Sequence, residues 1–215
     1  HYYTHQESME SFLSRRESSF NLLKPSLPSD IEFCLGAEVY VTDIIMNNKS
    51  LKPVCYGNSD YILLEFPYST TFTGSSYEFL FRIINQYGVM PILAHIERYF
   101  HDGLDYSIID HWVDMGCVLQ MNRTSILGVN GKKIQSNALE LLDNGYCDVI
   151  CTDTHRASGN RIEQLSDVYS VVGKRIGFDN ADILFYENPK LLLSNKEILN
   201  IEVEKKKKLF GFFGR

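Results

Sequence analysis

Apolar positions along this chain follow two rhythms that replace one another. Residues 5–23 set Met9, Phe12, Leu13, Phe20 and Leu23 at roughly helical spacing among polar neighbours, and Pro25 and Pro28 close that helix. Residues 31–41 alternate, which predicts a strand with Glu38 near its end, after Gly36. A short helix over 43–48 and a turn at Gly57-Asn58-Ser59 lead into Tyr61-Ile62-Leu63-Leu64-Glu65-Phe66, a buried strand with a carboxylate near its end. Phe79, Leu80, Ile83, Ile84 and Tyr87 then make a helical stripe that stops at Gly88. A strand over 91–94, a helix over 108–115 with Trp112 on its apolar face, and a strand over 117–121 ending at Asn122 follow. Ile134, Ala138, Leu141 and Leu142 mark a further helix, capped by Gly145, before a strand over 148–151. Ile162, Leu165, Val168, Tyr169 and Val172 predict the next helix, and short helical pieces fill 181–199.

Strand and helix thus alternate with short connections, the pattern of an α/β protein with a parallel sheet, open or closed into a barrel. Two strand ends break the apolar rule most sharply. Pro91-Ile92-Leu93-Ala94 runs straight into His95 and then Arg98, and Asp148-Val149-Ile150-Cys151 runs into Asp153-Thr154-His155. With Glu65 and Asn122 these polar residues all fall at strand C-termini, where parallel α/β folds build their sites.

Composition narrows the picture. A chain of 215 residues with 44% hydrophobic content can bury a full core and is expected to form one domain. No apolar run is long enough for a membrane helix. The five cysteines (Cys34, Cys55, Cys117, Cys147, Cys151) are odd in number and mostly lie in apolar runs, which suits reduced thiols in a cytoplasmic protein. The net charge of −6 divides into +5 over residues 205–215 and −11 over the remainder. An acidic body argues against nucleic acid as a partner. The Lys205–Lys208 run and the aromatic residues after it read as a solvated terminus, or as a docking peptide for an anionic membrane surface or a partner protein. The expected division is a domain over 1–204 and a basic-aromatic tail over 205–215.

Glu38, Glu65, His95, Asp153 and His155 gathered at one sheet edge would be costly to bury without a compensating charge, and a divalent cation supplies one. Mixed imidazole and carboxylate donors suit Mn, Fe or Zn better than Ca or Mg. A competing pattern is Cys117 followed after five residues by Arg123 and Thr124, the signature of cysteine-dependent phosphatases. That chemistry needs small residues whose N–H groups wrap a phosphate. Val118, Leu119, Gln120, Met121 and Asn122 favour an extended strand instead, so Cys117 is read as a buried strand residue.

Taken together, Gly36-Ala37-Glu38, Ile62-Leu63-Leu64-Glu65-Phe66, Ala94-His95-Ile96-Glu97-Arg98-Tyr99, Asp114-Met115-Gly116-Cys117 and Asp153-Thr154-His155, in this order, resemble the PHP-type (polymerase and histidinol phosphatase) bacterial protein-tyrosine phosphatases. The resemblance extends to Glu187-Asn188-Pro189-Lys190, and the Ala-His-Ile-Glu-Arg-Tyr block is its most specific part. It implies a distorted TIM-like (β/α)7 PHP barrel with a three-metal cluster, usually manganese, at the strand C-termini. Matched residue by residue, it implies metal ligands at His1, Glu38, Glu65, His95, Asp153 and His155, with His5 as the alternative to His1. Arg98 matches a phosphate-holding arginine. A second follows the Asp-x-His loop, with Arg161 the choice and Arg156 open. The family begins with a strand carrying Asp-x-His-x-His and then a further aspartate, none of which is in this chain, so the expectation is a barrel whose first β/α unit is missing.

The function implied is metal-dependent hydrolysis of phosphotyrosine, on a bacterial tyrosine kinase of capsule or exopolysaccharide synthesis. Two alternatives remain at this level: a small-molecule phosphoesterase of the histidinol-phosphate type on the same barrel, and a non-catalytic regulator that binds the kinase.

Overall fold

The computed structural model describes residues 1–203. The expected boundary at 204 and the tail over 205–215 lie outside the described residues. The elements in order are helix α1 (Met9–Leu23), strand β1 (Glu38–Tyr40), strand β2 (Tyr61–Glu65), helix α2 (Gly74–Tyr87), strand β3 (Met90–Leu93), helix α3 (Tyr106–Asp114) and strand β4 (Val118–Asn122). The single turn α4 (Arg123–Ile126), helix α5 (Lys132–Asp143), strand β5 (Val149–Cys151) and helix α6 (Ser166–Ile176) follow. Helices α7 (Phe178–Asp182) and α8 (Asn188–Leu193), joined by a π-helical turn at Ile183–Glu187, complete the fold.

All five strands are parallel, and their order in the sheet is their order in the chain. Every crossover therefore steps in the same direction, as in an arc of a β/α barrel. A doubly wound sheet reverses its order at a switch point, and this one does not. Among the described residues β1 and β5 do not pair, so the sheet is an open row. A parallel bridge from Tyr2 to Val39 extends it one position beyond β1: Tyr2 N–H donates to the Glu38 carbonyl at 2.8 Å and Tyr40 N–H to the Tyr2 carbonyl at 3.0 Å.

Side chains alternate across the sheet and build two cores. Val39, Ile62, Leu64, Leu93, Leu119, Met121 and Ile150 face the helices and join the main cluster, where the α2 stripe of Phe79, Leu80 and Ile83 packs. The opposite face carries Leu63, Ile92, Val118, Val149 and Cys151, covered by Leu192 and Ile198. On β2, β4 and β5 this second row continues, two residues at a time, into Glu65, Asn122 and Asp153. The polar residues are thus the upper end of an otherwise apolar row. Helix α2 ends at Gly88 in the left-handed region (φ 63°), which relieves its last carbonyls without steric cost.

The structure corrects three expectations. The strand over 31–41 forms only at Glu38–Tyr40, so Glu38 is its first residue. Ile31 and Phe33 are 54% and 41% exposed, and their alternation finds no neighbouring strand to pair with. Gly36 lies there under the Tyr56 ring, where an added Cβ would come within 2.2 Å. The helix over 5–23 begins at Met9, and of its stripe only Phe12 is buried, Leu23 being exposed. The helix through Ile162 and Leu165 begins only at Ser166, because the segment before it is tied into the site described below.

Between β4 and β5, the Asp148 carboxylate accepts the Leu119 N–H at 2.7 Å, and burial pushes its pKa to about 6. The folded chain then holds this proton more tightly than the unfolded chain. The group's contribution to stability is complete below about pH 4 and is lost as pH rises through about 6. Asp148→Asn keeps an acceptor for Leu119 and should gain stability over the parent as pH rises across that window, by about 1–3 kcal/mol at neutral pH. Urea melts at a series of pH values test this; a pH-independent difference would contradict it.

Candidate metal centre

Glu38, Glu65 and His95 reach one point from three adjacent strands. Glu38 is in register with Leu63, one pleat below Glu65, and His95 follows β3 by two residues. Their side chains, and not level backbone positions, bring them together. His95 Nε2 lies 3.2 Å from Glu38 Oε1 and 3.4 Å from Glu65 Oε1. His1, at the extra sheet position before β1, hydrogen-bonds the other Glu38 oxygen and lies 3.9 Å from Glu65 Oε2. Donor atoms of His1, Glu38 and Glu65 all fall within 4.8 Å of one another. His5 does not reach these carboxylates; its ring lies 5.9 Å from that of Tyr3 and 6.1 Å from that of Tyr40.

Electrostatics here is governed by mutual compensation. Burial alone would push Glu38 up, but hydrogen bonds from His1 and His95 outweigh it and hold the carboxyl at about 2. Burial alone would push His95 down, and Glu38 with Glu65 instead raise it to about 9. His1 is raised in the same way, chiefly by its bond to Glu38. Two imidazoles thus supply the positive charge that the part-buried carboxylates need. A divalent cation would meet the same need through the same nitrogen and oxygen atoms, and this donor set fits one. His95 Nδ1 is buried and, among the described residues, has no hydrogen-bond partner.

A second cluster adjoins the first around Asp153, which accepts from Arg161 Nη2 at 2.7 Å and Asn122 Nδ2 at 2.9 Å on one oxygen. Arg98 Nη2 lies 3.6 Å from that oxygen and His155 Nδ1 3.2 Å from the other. The His155 and His1 rings are 5.2 Å apart, which joins the two clusters. Arg161 thus reaches Asp153, whereas Arg156 is exposed in the same loop. His95 and Asp153 both adopt left-handed backbone (φ 38° and 52°), a conformation that costs a side-chain-bearing residue about 1–2 kcal/mol. The fold holds that strain at two of the residues singled out from the strand ends.

Sequence reasoning singled out Asn122 but missed Gln120, which links it to the first cluster. His95 N–H donates to Gln120 Oε1 at 2.7 Å, Gln120 Nε2 to Asn122 Oδ1 at 2.7 Å, and Asn122 in turn to Asp153. Gln120 was legible only as a polar residue inside an apolar strand. Arg123 entered only through the rejected cysteine-phosphatase pattern, and its place in the fold is structural. It lies at the far end of β4 from Cys117, about 20 Å away for an extended strand of that length. Its guanidinium grips Asp167 twice (2.9 and 2.5 Å) and the Asn160 carbonyl at 3.0 Å, and so anchors the loop that carries Arg161. Burial pushes the Cys117 thiol up to about 12, which suits a packed strand residue and not a nucleophile.

Comparison with known proteins identifies the family and the fold. The family model described as "Capsular polysaccharide synthesis, CpsB/CapC" matches residues 1–194. The chain is 27% identical over 201 residues to the tyrosine-protein phosphatase CpsB of Streptococcus pneumoniae, covering 88% of this chain and 77% of that one. It is also 27% identical over 203 residues to the tyrosine-protein phosphatase YwqE of Bacillus subtilis, covering 92% and 78%. A chain from the crystal structures of YwqE and CpsB, described as unique metal-dependent tyrosine phosphatases, superposes with a TM-score of 0.73 at 22% identity. That superposition covers 90% of this chain and 77% of the other, and it establishes a shared fold.

Proposed function

Since the chain belongs to the capsular polysaccharide synthesis family CpsB/CapC, we propose that it is a protein-tyrosine phosphatase that works with divalent metal at the ends of its strands. The observation that carries this reading is the juxtaposition of the His1–Glu38–Glu65–His95 cluster with two arginines converging on Asp153. The sheet is read as an arc of a PHP barrel, and the metal as manganese, on the resemblance of the strand-end motifs.

His1, Glu38, Glu65 and His95 would hold a cation, with Asp153 and His155 as further donors. Bound there, divalent metal lowers the pKa of water and neutralises phosphoryl oxygens. Arg98 and Arg161 hold the phosphate. Both guanidinium groups now rest on the Asp153 carboxylate, and a planar two-pronged donor matches a phosphate as well as a carboxylate. Asn122 keeps Asp153 in position, and the Arg123–Asp167 clasp keeps the Arg161 loop closed over it. A phenol has an ordinary pKa of about 10 and leaves readily as its anion, so no strong general acid is required.

The substrate is read as a phosphotyrosine-bearing bacterial kinase of capsule or exopolysaccharide synthesis, met in the cytoplasm. Among the described residues no helix is long and apolar enough to cross a membrane. Release of phosphate from a phosphotyrosine peptide, with manganese and with or without chelator, tests the proposal. Chelator should abolish turnover. Turnover indifferent to chelator would refute metal dependence, and faster turnover of histidinol phosphate than of the peptide would refute the substrate class.

A further inference from the structure

Three tyrosines stand around the mouth of the site without holding its charge. Tyr68 follows β2 and is 43% exposed, yet it is fixed from two sides. Its hydroxyl accepts from Arg98 Nη1 at 3.3 Å, and its carbonyl accepts from His101 Nε2 at 3.2 Å. Its ring centre lies 5.8 Å from that of His95. From the β1 edge of the same cluster, Tyr3 lies 5.6 Å ring to ring from His1 and 5.4 Å from Tyr40. His1 and His95 both contact Glu38, so Tyr3 and Tyr68 border the same cluster from its two sides.

Resting on the phosphatase reading, the geometry points to an aryl slot: Tyr68 on the Arg98 side, and Tyr3 with Tyr40 on the His1 side, receive the phenyl ring of the phosphotyrosine whose phosphate Arg98 and Arg161 hold. The bond between the Tyr68 hydroxyl and Arg98 sets an aromatic face beside a phosphate-holding group. An aryl ester puts its ring one oxygen away from the phosphorus, within reach of that face. The ring then gains offset or edge-on aromatic contacts and leaves water. A phosphoserine or histidinol phosphate presents a methylene there and gains little. Tyr68 is thus a specificity residue, and the slot adds to the arginines a reason for the site to prefer phosphotyrosine over alkyl phosphates.

The test is binding of phenylphosphonate and methylphosphonate to the manganese-loaded protein by titration calorimetry, in the parent and in Tyr68→Leu and Tyr68→Phe. The ratio of the two affinities is the readout, so no turnover is needed. Tyr68→Leu should lower the aryl preference by about 10- to 100-fold, while Tyr68→Phe, which loses the bond to Arg98 but keeps the ring, should retain it. Tyr3→Leu should lower it independently. An unchanged ratio in Tyr68→Leu overturns the slot and leaves the phosphatase reading standing. An equal fall in Tyr68→Phe and Tyr68→Leu also overturns it, because the hydroxyl and not the ring would then carry the effect. Failure of the parent to bind either phosphonate overturns the phosphate site itself, and the slot with it.

Discussion

Replacing His95 should cost the protein both its metal and its turnover, by about 10³-fold or more in kcat/KM, the largest effect expected of a single substitution here. Its Nε2 sits between Glu38 and Glu65, 3.2 and 3.4 Å from their carboxylate oxygens. The substitution has to be chosen with the backbone in mind. His95 is in the left-handed region, where alanine adds strain of its own and asparagine adds little. His95→Asn is therefore the informative variant, with His95→Ala beside it. Elemental analysis of both, together with phosphate release, should show metal and activity lost in parallel. Full metal content in His95→Asn would remove His95 from the ligand set.

Arg98→Ala should behave differently, losing about 10²- to 10³-fold in turnover while keeping its metal. The guanidinium touches Asp153 and Tyr68 but none of the first cluster's carboxylates, so its removal leaves His1, Glu38, Glu65 and His95 in place. Arg98→Lys should recover only part of the loss, because an ammonium restores the charge without the two-pronged geometry. Loss of metal in Arg98→Ala would show that the arginine supports the cluster rather than the phosphate. Full recovery in Arg98→Lys would show that charge alone suffices there.

The two experiments separate halves of the site that the chain itself presents separately. One half starts β1, ends β2 and follows β3, and the other ends β4 and follows β5. They meet through the Gln120–Asn122–Asp153 chain of hydrogen bonds and the neighbouring His1 and His155 rings, 5.2 Å apart. A variant that breaks the link without removing a ligand, such as Asn122→Leu, addresses their coupling.

What the sequence by itself determined is local. The alternation of apolar stripes with apolar runs is set by the 3.6 and 2.0 periods of helix and strand, and it was enough to expect a parallel α/β sheet. The polar residues Glu65, His95, Asn122 and Asp153 were visible because each ends or follows an apolar run, and a run that stops on a ligand needs no distant information to be noticed. The extended run of Val118 to Asn122 was likewise enough to set Cys117 apart from a phosphate loop.

Only the tertiary structure decided what depends on neighbours in space. A strand forms where another edge can pair with it, so the alternation over 31–41 shrank to three residues at Glu38–Tyr40. The register between strands, which no single strand encodes, sets Glu38 one pleat below Glu65, where both side chains still reach the same imidazoles. That His1 and not His5 reaches Glu38, and Arg161 and not Arg156 reaches Asp153, rests on how two irregular segments close over the sheet. Side chains a few residues apart in a loop point in unrelated directions, and long-range contacts alone select among them. Tyr68 and Gln120 emerged only with the fold because a tyrosine or a glutamine becomes part of a site through the residues it touches.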